Sequence, residues 1–143
     1  MDEFRAFQID RGTGGVTARF TDLTLDDLTE GDVVIRVSHS TINYKDALAA
    51  TGAGRILRKF PLVGGIDLAG RVVRSEVSAL REGEAVLVNG CGLSETRDGG
   101  YAEYARVPAE AVVPIPEGLL KALIRSSLEM GFVSSRAIRM TTP

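Results

Sequence analysis

Apolar residues of strand character recur in short runs along this chain, at 4–9, 33–39, 70–77, 85–88, 101–107 and 111–115, each bounded by Gly, Pro or acidic turn residues. Runs this short and this regularly spaced predict a barrel or sandwich. In the second run Val33, Ile35 and Val37 alternate with Val34, Arg36 and Ser38, the period-two pattern of a strand with one dry and one mixed face. His39 would continue the Val33 face. Glu30-Gly31-Asp32 and Glu82-Gly83-Glu84 precede two of the runs, and glycine supplies the positive φ that a reversing chain needs.

Helical patterning is confined to two places. Residues 43–50 are Ala-rich, with Asn43 fit to cap, Asp46 at the third helical position near the positive helix end, and Gly52 fit to close the helix. After Pro114-Ile115-Pro116-Glu117-Gly118 breaks the β pattern, Leu119, Leu120, Leu123, Ile124 and Leu128 recur at helical spacing, which predicts an amphipathic helix. The domain boundary is therefore placed at 118: a β unit over 1–118 and a helical tail over 119–143.

The length of 143 residues suits one domain and falls short of the roughly 200 that two domains normally need. With 44% hydrophobic and 25% charged residues the chain can bury a core. A net charge of -2 offers no general attraction to nucleic acid or an anionic membrane. Residues 1–5 lack a basic and apolar leader, and no stretch approaches the roughly 18 apolar residues that span a bilayer, so a cytoplasmic location is expected.

Inventory excludes several chemistries. A single His and a single Cys cannot build a zinc site or form an internal disulfide, and no G-x-S-x-G elbow is present. Gly12-Thr13-Gly14-Gly15 and Gly52-Ala53-Gly54 supply glycines, but neither completes G-x-G-x-x-G, and both read as turns. His39 reads as a core or edge residue, and Cys91 as a small packed side chain. Arg55, Arg58 and Lys59 read as a solvated basic patch.

Two segments hold more chemistry. Ser40, Thr41, Asn43, Tyr44, Lys45 and Asp46 gather several hydrogen-bonding types at a strand end and helix start, beside exposed backbone donors. Residues 60–70, Phe-Pro-Leu-Val-Gly-Gly-Ile-Asp-Leu-Ala-Gly, embed Asp67 in an apolar stretch, where a buried carboxylate needs partners or a raised pKa.

These segments, Ser40-Thr41-Ile42-Asn43-Tyr44-Lys45-Asp46 and Phe60-Pro61-Leu62-Val63-Gly64-Gly65-Ile66-Asp67, followed by Gly99-Gly100-Tyr101-Ala102-Glu103-Tyr104, resemble the catalytic domain of medium-chain dehydrogenase/reductases. The branch they resemble is the zinc-independent quinone oxidoreductase and acrylyl-CoA reductase group. The likeness runs in order over residues 4–118.

The resemblance implies a mainly β fold with short helices, a GroES-like partly open β-barrel that packs against a Rossmann domain, with NADPH and substrate in the cleft between them. By the same matching, Asn43, Tyr44 and Asp46 fall on the cofactor side, and Tyr44, Lys45 and Asp67 are the candidate catalytic residues. The zinc ligands of metal-dependent relatives are replaced within Thr41-Ile42-Asn43 and Gly65-Ile66-Asp67, so no metal is expected. In enoyl thioester reduction negative charge builds on the thioester oxygen, and Tyr44 and Lys45 are candidates to donate to it.

No glycine fingerprint occurs in residues 119–143, which are too few for a nucleotide-binding βαβ unit. The Rossmann domain is thus read as missing and the chain as truncated, with weak NADPH binding and little activity alone. The expected partners are an enone, quinone or enoyl-CoA substrate and a Rossmann half or a second copy. The alternative is a non-catalytic β-barrel module that docks a partner through its helical tail.

Overall fold

The computed structural model describes residues 3–116 and the pair 133–134. The helix expected over 119–128, and with it the proposed tail, lies outside the described residues. In chain order the strands are β1 (Phe4–Gly12), β2 (Gly15–Leu23), β3 (Val33–Ser40), β4 (Leu62–Val63), β5 (Asp67–Ser75), β6 (Ala85–Asn89), β7 (Tyr104–Val107), β8 (Val113–Pro114) and β9 (Val133–Ser134). Helix α1 (Tyr44–Thr51) follows β3, and short 3-10 turns occupy Leu25–Asp27 and Ala109–Ala111.

Two open antiparallel sheets form. One has the order β2-β1-β4, the other β7-β3-β5-β6-β8, and β9 pairs with β3 at His39 and Ser40. β1 and β2 make a hairpin closed by Gly12 opposite Gly15 around Thr13-Gly14, and Gly15 has a φ of 109°. The glycine cluster there is a turn, as its sequence indicates. β2 was not visible as a strand, because its Val16, Ala18 and Phe20 stay half-buried or exposed and leave no dry face to read.

Residues 101–103 stitch the sheets together. Phe7 N donates to Tyr101 O at 2.8 Å, Glu103 N to Arg5 O at 3.1 Å, and Val37 N to Glu103 O at 2.9 Å. The run expected as a strand from 101 is ladder-paired only from Tyr104, and its first residues bridge β1 and β3 instead. This gives the partly open barrel.

β3 is the spine. Val33, Ile35 and Val37 join Leu68, Val72, Val86, Val88 and Val107 in the main core, while Val34 is buried on the other face with Phe4, Ala6, Leu25 and Val63. Each of these Val, Ile, Leu and Phe side chains contributes roughly 1.5–3 kcal/mol on burial. A register shift between Val37 and His39 interrupts the alternation: Ser38 Oγ donates to Ala69 O at 3.1 Å, and Ser40 is buried while His39 is half-exposed. His39 therefore does not extend the dry face. Gly83 has the expected positive φ of 82°, but Gly31 does not; a Cβ at Gly31 would overlap the backbone of Val107.

Candidate functional site

The bulge at the end of β3 turns residues 41–43 toward α1 and delivers the polar cluster to the start of β5. Asn43 caps the helix in extended conformation, and Asp46 Oδ2 accepts from Asn43 N at 2.8 Å. Its other oxygen accepts from Ile66 N at 3.1 Å, so this carboxylate, only 4% exposed, clamps α1 to the residue before β5. Gly52 ends α1 with a φ of 72°.

Asp67 is the hub of the neighbouring network. Its Oδ1 accepts from Thr41 N at 2.7 Å and Ser40 Oγ at 3.3 Å, and its Oδ2 accepts from Thr41 Oγ1 and from Asn43 Nδ2 at 3.2 Å. Asn43 Nδ2 also donates to Thr41 Oγ1 at 2.6 Å. The half-buried carboxylate thus has the partners that its apolar surroundings demand.

Tyr101, on the segment that bridges the two sheets, closes the site: its hydroxyl donates to Thr41 O at 2.7 Å. Burial first, then the nearby carboxylates of Asp46 and Asp67, push its phenol far above the ordinary tyrosine range. Glycines permit this approach: Gly99 N, Gly100 N and Tyr101 N donate to Val63 O, Gly65 O and Gly64 O at 2.9, 3.0 and 2.9 Å. A Cβ on Gly99 or Gly100 would overlap the carbonyl oxygens of Gly65 or Asp67.

Asn43, Asp46 and Asp67 therefore meet in one network. Tyr44 and Lys45 point elsewhere. Tyr44 is 80% exposed, and its hydroxyl has no hydrogen-bond partner among the described residues. Lys45 Nζ lies 2.9 Å from Glu95 Oε2, and Arg58 Nε lies 3.7 Å from Glu95 Oε1. Hydrogen bonding and charge from Lys45 hold the Glu95 carboxyl below the usual range. Beside the network an apolar depression of about 260 Å³ is lined by Phe7, Phe20, Ile42, Asp46, Ala47, Ala50 and Tyr101.

Thr41 and Tyr101 were absent from the site residues chosen from sequence. Thr41 stood in the polar cluster, but only the fold brings it against Asp67, and nothing local couples it to Tyr101. Cys91 is exposed, on a turn with φ 50°, and not packed as its sequence suggested, because the flanking Gly90 and Gly92 also turn with positive φ and carry it out of the core. Arg55, Arg58 and Lys59 are exposed. Among the described residues no group of three His, Cys, Asp or Glu side chains is placed to hold a metal, and no helix is long and apolar enough to cross a membrane.

Comparison with known proteins agrees with this architecture. The alcohol dehydrogenase GroES-like domain family matches residues 29–117. The putative quinone oxidoreductase YhfP of Bacillus subtilis is 40% identical over 116 residues, covering 81% of this chain and 35% of YhfP. The probable acrylyl-CoA reductase AcuI of Escherichia coli is 50% identical over 98 residues, 67% of this chain and 30% of AcuI. The yhdH oxidoreductase of Salmonella enterica, solved in complex with NADP, superposes with a TM-score of 0.76 at 42% identity, over 80% of this chain and 35% of that one. The chain thus spans about a third of the length of these relatives. With a GroES-like sheet pair, the three expected motifs brought to one corner and a family match across most of the barrel, this chain belongs to the alcohol dehydrogenase GroES-like domain family of medium-chain dehydrogenase/reductases, related to quinone oxidoreductases and acrylyl-CoA reductases.

Proposed function

We propose that this chain forms the substrate-side wall of a zinc-independent, NADPH-dependent oxidoreductase that reduces an activated C=C bond or a quinone. The observation that supports it is the corner at Asn43 and Tyr44: an exposed tyrosine, its hydroxyl without a partner among the described residues, opens a helix whose start is braced by Asp46 and Asp67, and Ile42 and Asp46 on either side of it line an apolar depression. When bound, NADPH supplies the hydride. Asn43, Tyr44 and Asp46 frame the nicotinamide end of the site, Asn43 and Tyr44 by contact and Asp46 by fixing the helix start. Tyr44 and Lys45 donate to the substrate oxygen on which negative charge develops. Asp67 is a positioning residue, because its carboxylate is engaged by Ser40, Thr41 and Asn43 and acts through them.

A zinc-dependent route does not suit the residues present, since a lone His39 on β3 and an exposed Cys91 supply no catalytic ligand set. Residues 1–118 are taken as the catalytic unit and 119–143 as a separate tail, in a cytoplasmic protein.

Ladder pairing among the described residues is antiparallel, so no βαβ unit for the pyrophosphate lies among them. Exposed Ile42 and Tyr44 suit contact with a Rossmann half. On this reading the chain alone binds NADPH weakly and turns over little, because hydride transfer needs both reactants held in register. The test is NADPH oxidation with acrylyl-CoA and with a quinone, by the chain alone and with a Rossmann half added. Activity is expected only in the mixture. Ordinary enzyme rates from the unaided chain, or none from the mixture, would contradict the proposal.

A further inference from the structure

β2 is an open edge of the three-stranded sheet: among the described residues it pairs with β1 alone, over Gly15–Leu23, in an unbroken register and without proline. Native edges are usually blunted by a bulge, a proline, like charges or a covering element. β2 offers only Arg19 and Asp22, which are of opposite sign. The direction of its backbone groups follows from β1. Phe7 N donates to Tyr101 O at 2.8 Å, Phe7 O accepts from Gly64 N at 2.9 Å, and Arg5 O accepts from Glu103 N at 3.1 Å, so both residues turn their backbone away from β2. Phe20 and Asp22, opposite them, therefore direct their own N–H and C=O outward, and by alternation so do Val16 and Ala18. Such a row is a template for another strand. The Phe20 ring lies on the same edge: Phe7 packs against it at 5.3 Å between centroids, Arg5 lies 5.8 Å from it, and it lines the apolar depression while the residue stays 37% exposed.

We infer that a second copy of this chain adds to β2, antiparallel about a two-fold axis at Phe20, so that the two three-stranded sheets join into one. Strands related by such an axis set residues of the same face opposite each other. With Phe20 facing its own copy, Ala18 faces Asp22, Arg19 faces Thr21 and Thr17 faces Leu23. No like charges meet, and the outward groups of Phe20 pair with those of the other Phe20, those of Ala18 with those of Asp22. An aromatic pair stands at the centre, where cross-strand aromatic contacts are favourable. An axis at Arg19 would oppose two arginines, and one at Thr21 would set Phe20 against Asp22. A strand of unrelated sequence would meet the same backbone without this self-complementarity. The second Phe20 also extends the wall of the apolar depression, whose rim on this edge is Phe20 itself. A net charge of -2 leaves little repulsion between copies. The pairing does not depend on the reductase reading.

The test is the oligomeric state of the full chain by analytical ultracentrifugation, joined to amide hydrogen exchange read by NMR in concentrated and dilute samples. A dimer that dissociates on dilution is expected. The amides of Ala18, Phe20 and Asp22 should exchange roughly tenfold faster in the dilute sample, while those of Thr17, Arg19 and Thr21, which face β1, should not change. Phe20→Glu and Phe20→Lys, each checked to be folded by circular dichroism, should self-associate at least roughly tenfold more weakly, because like charges then face each other across the axis. An equimolar mixture of the two should pair again, since position 20 of one copy faces position 20 of the other. A monomer at every concentration overturns the proposal, as does a dimer that both variants retain or a mixture that fails to pair. Dilution-sensitive protection away from β2 assigns the interface to another surface and also overturns it. So does a chain whose β2 amides gain protection only when a Rossmann half is added, which would give the edge to that partner.

Discussion

Asp67, at the first position of β5, accepts from both the amide and the hydroxyl of Thr41, the residue that follows β3. A carboxylate gripping one residue by main chain and side chain fixes the loop that carries Asn43 and Tyr44. Asp67→Asn replaces one acceptor oxygen with an NH2 group facing the donors of Ser40, Thr41 and Asn43. The expected cost is about 1–3 kcal/mol of stability, measured by urea unfolding. Amide exchange at Thr41 should accelerate alongside. An unchanged unfolding midpoint would show that the network does not hold the loop.

Tyr101 adds a pH signature. Its phenol is raised in the folded chain and near 10 when unfolded, so above pH 10 the unfolded state loses its proton while the folded state keeps it. Stability is full below pH 10 and falls as pH climbs beyond it. Absorbance titration should show one of the three tyrosines ionising last. Tyr101→Phe should cost about 0.5–1.5 kcal/mol at neutral pH, through the lost bond to Thr41 O, and should flatten the alkaline decline. A decline equally steep in the variant would assign it to another group.

The fold was legible where sequence and packing agree. Val33, Ile35 and Val37 advertise a buried face, and the Asn43, Asp46 and Gly52 spacing gives α1 its start and stop. What was hidden depends on the third dimension. β2 lacks a buried face, and the bulge near Ser38 arises from pairing with β5, so no local signal revealed either. Asn43, Asp46 and Asp67 stand in the motifs, but their mutual bonds, and the bond from Tyr101 on the bridging segment to Thr41, come from tertiary closure.

That closure requires glycine at 100. A methyl group there would overlap the carbonyl oxygen of Asp67 and approach Leu68 Cβ to 2.9 Å, and backbone cannot yield as a flexible side chain can. Gly100→Ala should destabilise by about 3 kcal/mol, the upper range for overpacking. Gly14→Ala meets nothing within 4 Å and should be nearly neutral. Thermal melts of both variants check the contrast; equal melting temperatures would contradict it.

His39 provides the acid counterpart. Burial holds its imidazole below the ordinary value of 6.5. The folded chain then prefers the neutral ring, so stability is full above pH 6.5 and is lost as pH falls through the folded pKa. As the only histidine, its ring proton resonance reports the midpoint directly. His39→Gln should remove this slope between neutral pH and the carboxylate range; a retained slope would point to another group.

Lys45 separates a structural from a chemical role. Its pair with Glu95 is partly exposed, with side chains 43% and 32% accessible, so Lys45→Met should change stability by at most about 1 kcal/mol. If Lys45 donates to the substrate oxygen, the same variant, assayed with a Rossmann half, should lose about 10- to 100-fold in kcat/KM. Glu95→Gln removes the same ion pair but keeps the ammonium group, and should retain most of the activity. Equal losses in the two variants would make the pair a brace, and an undiminished rate in Lys45→Met would remove Lys45 from the chemistry.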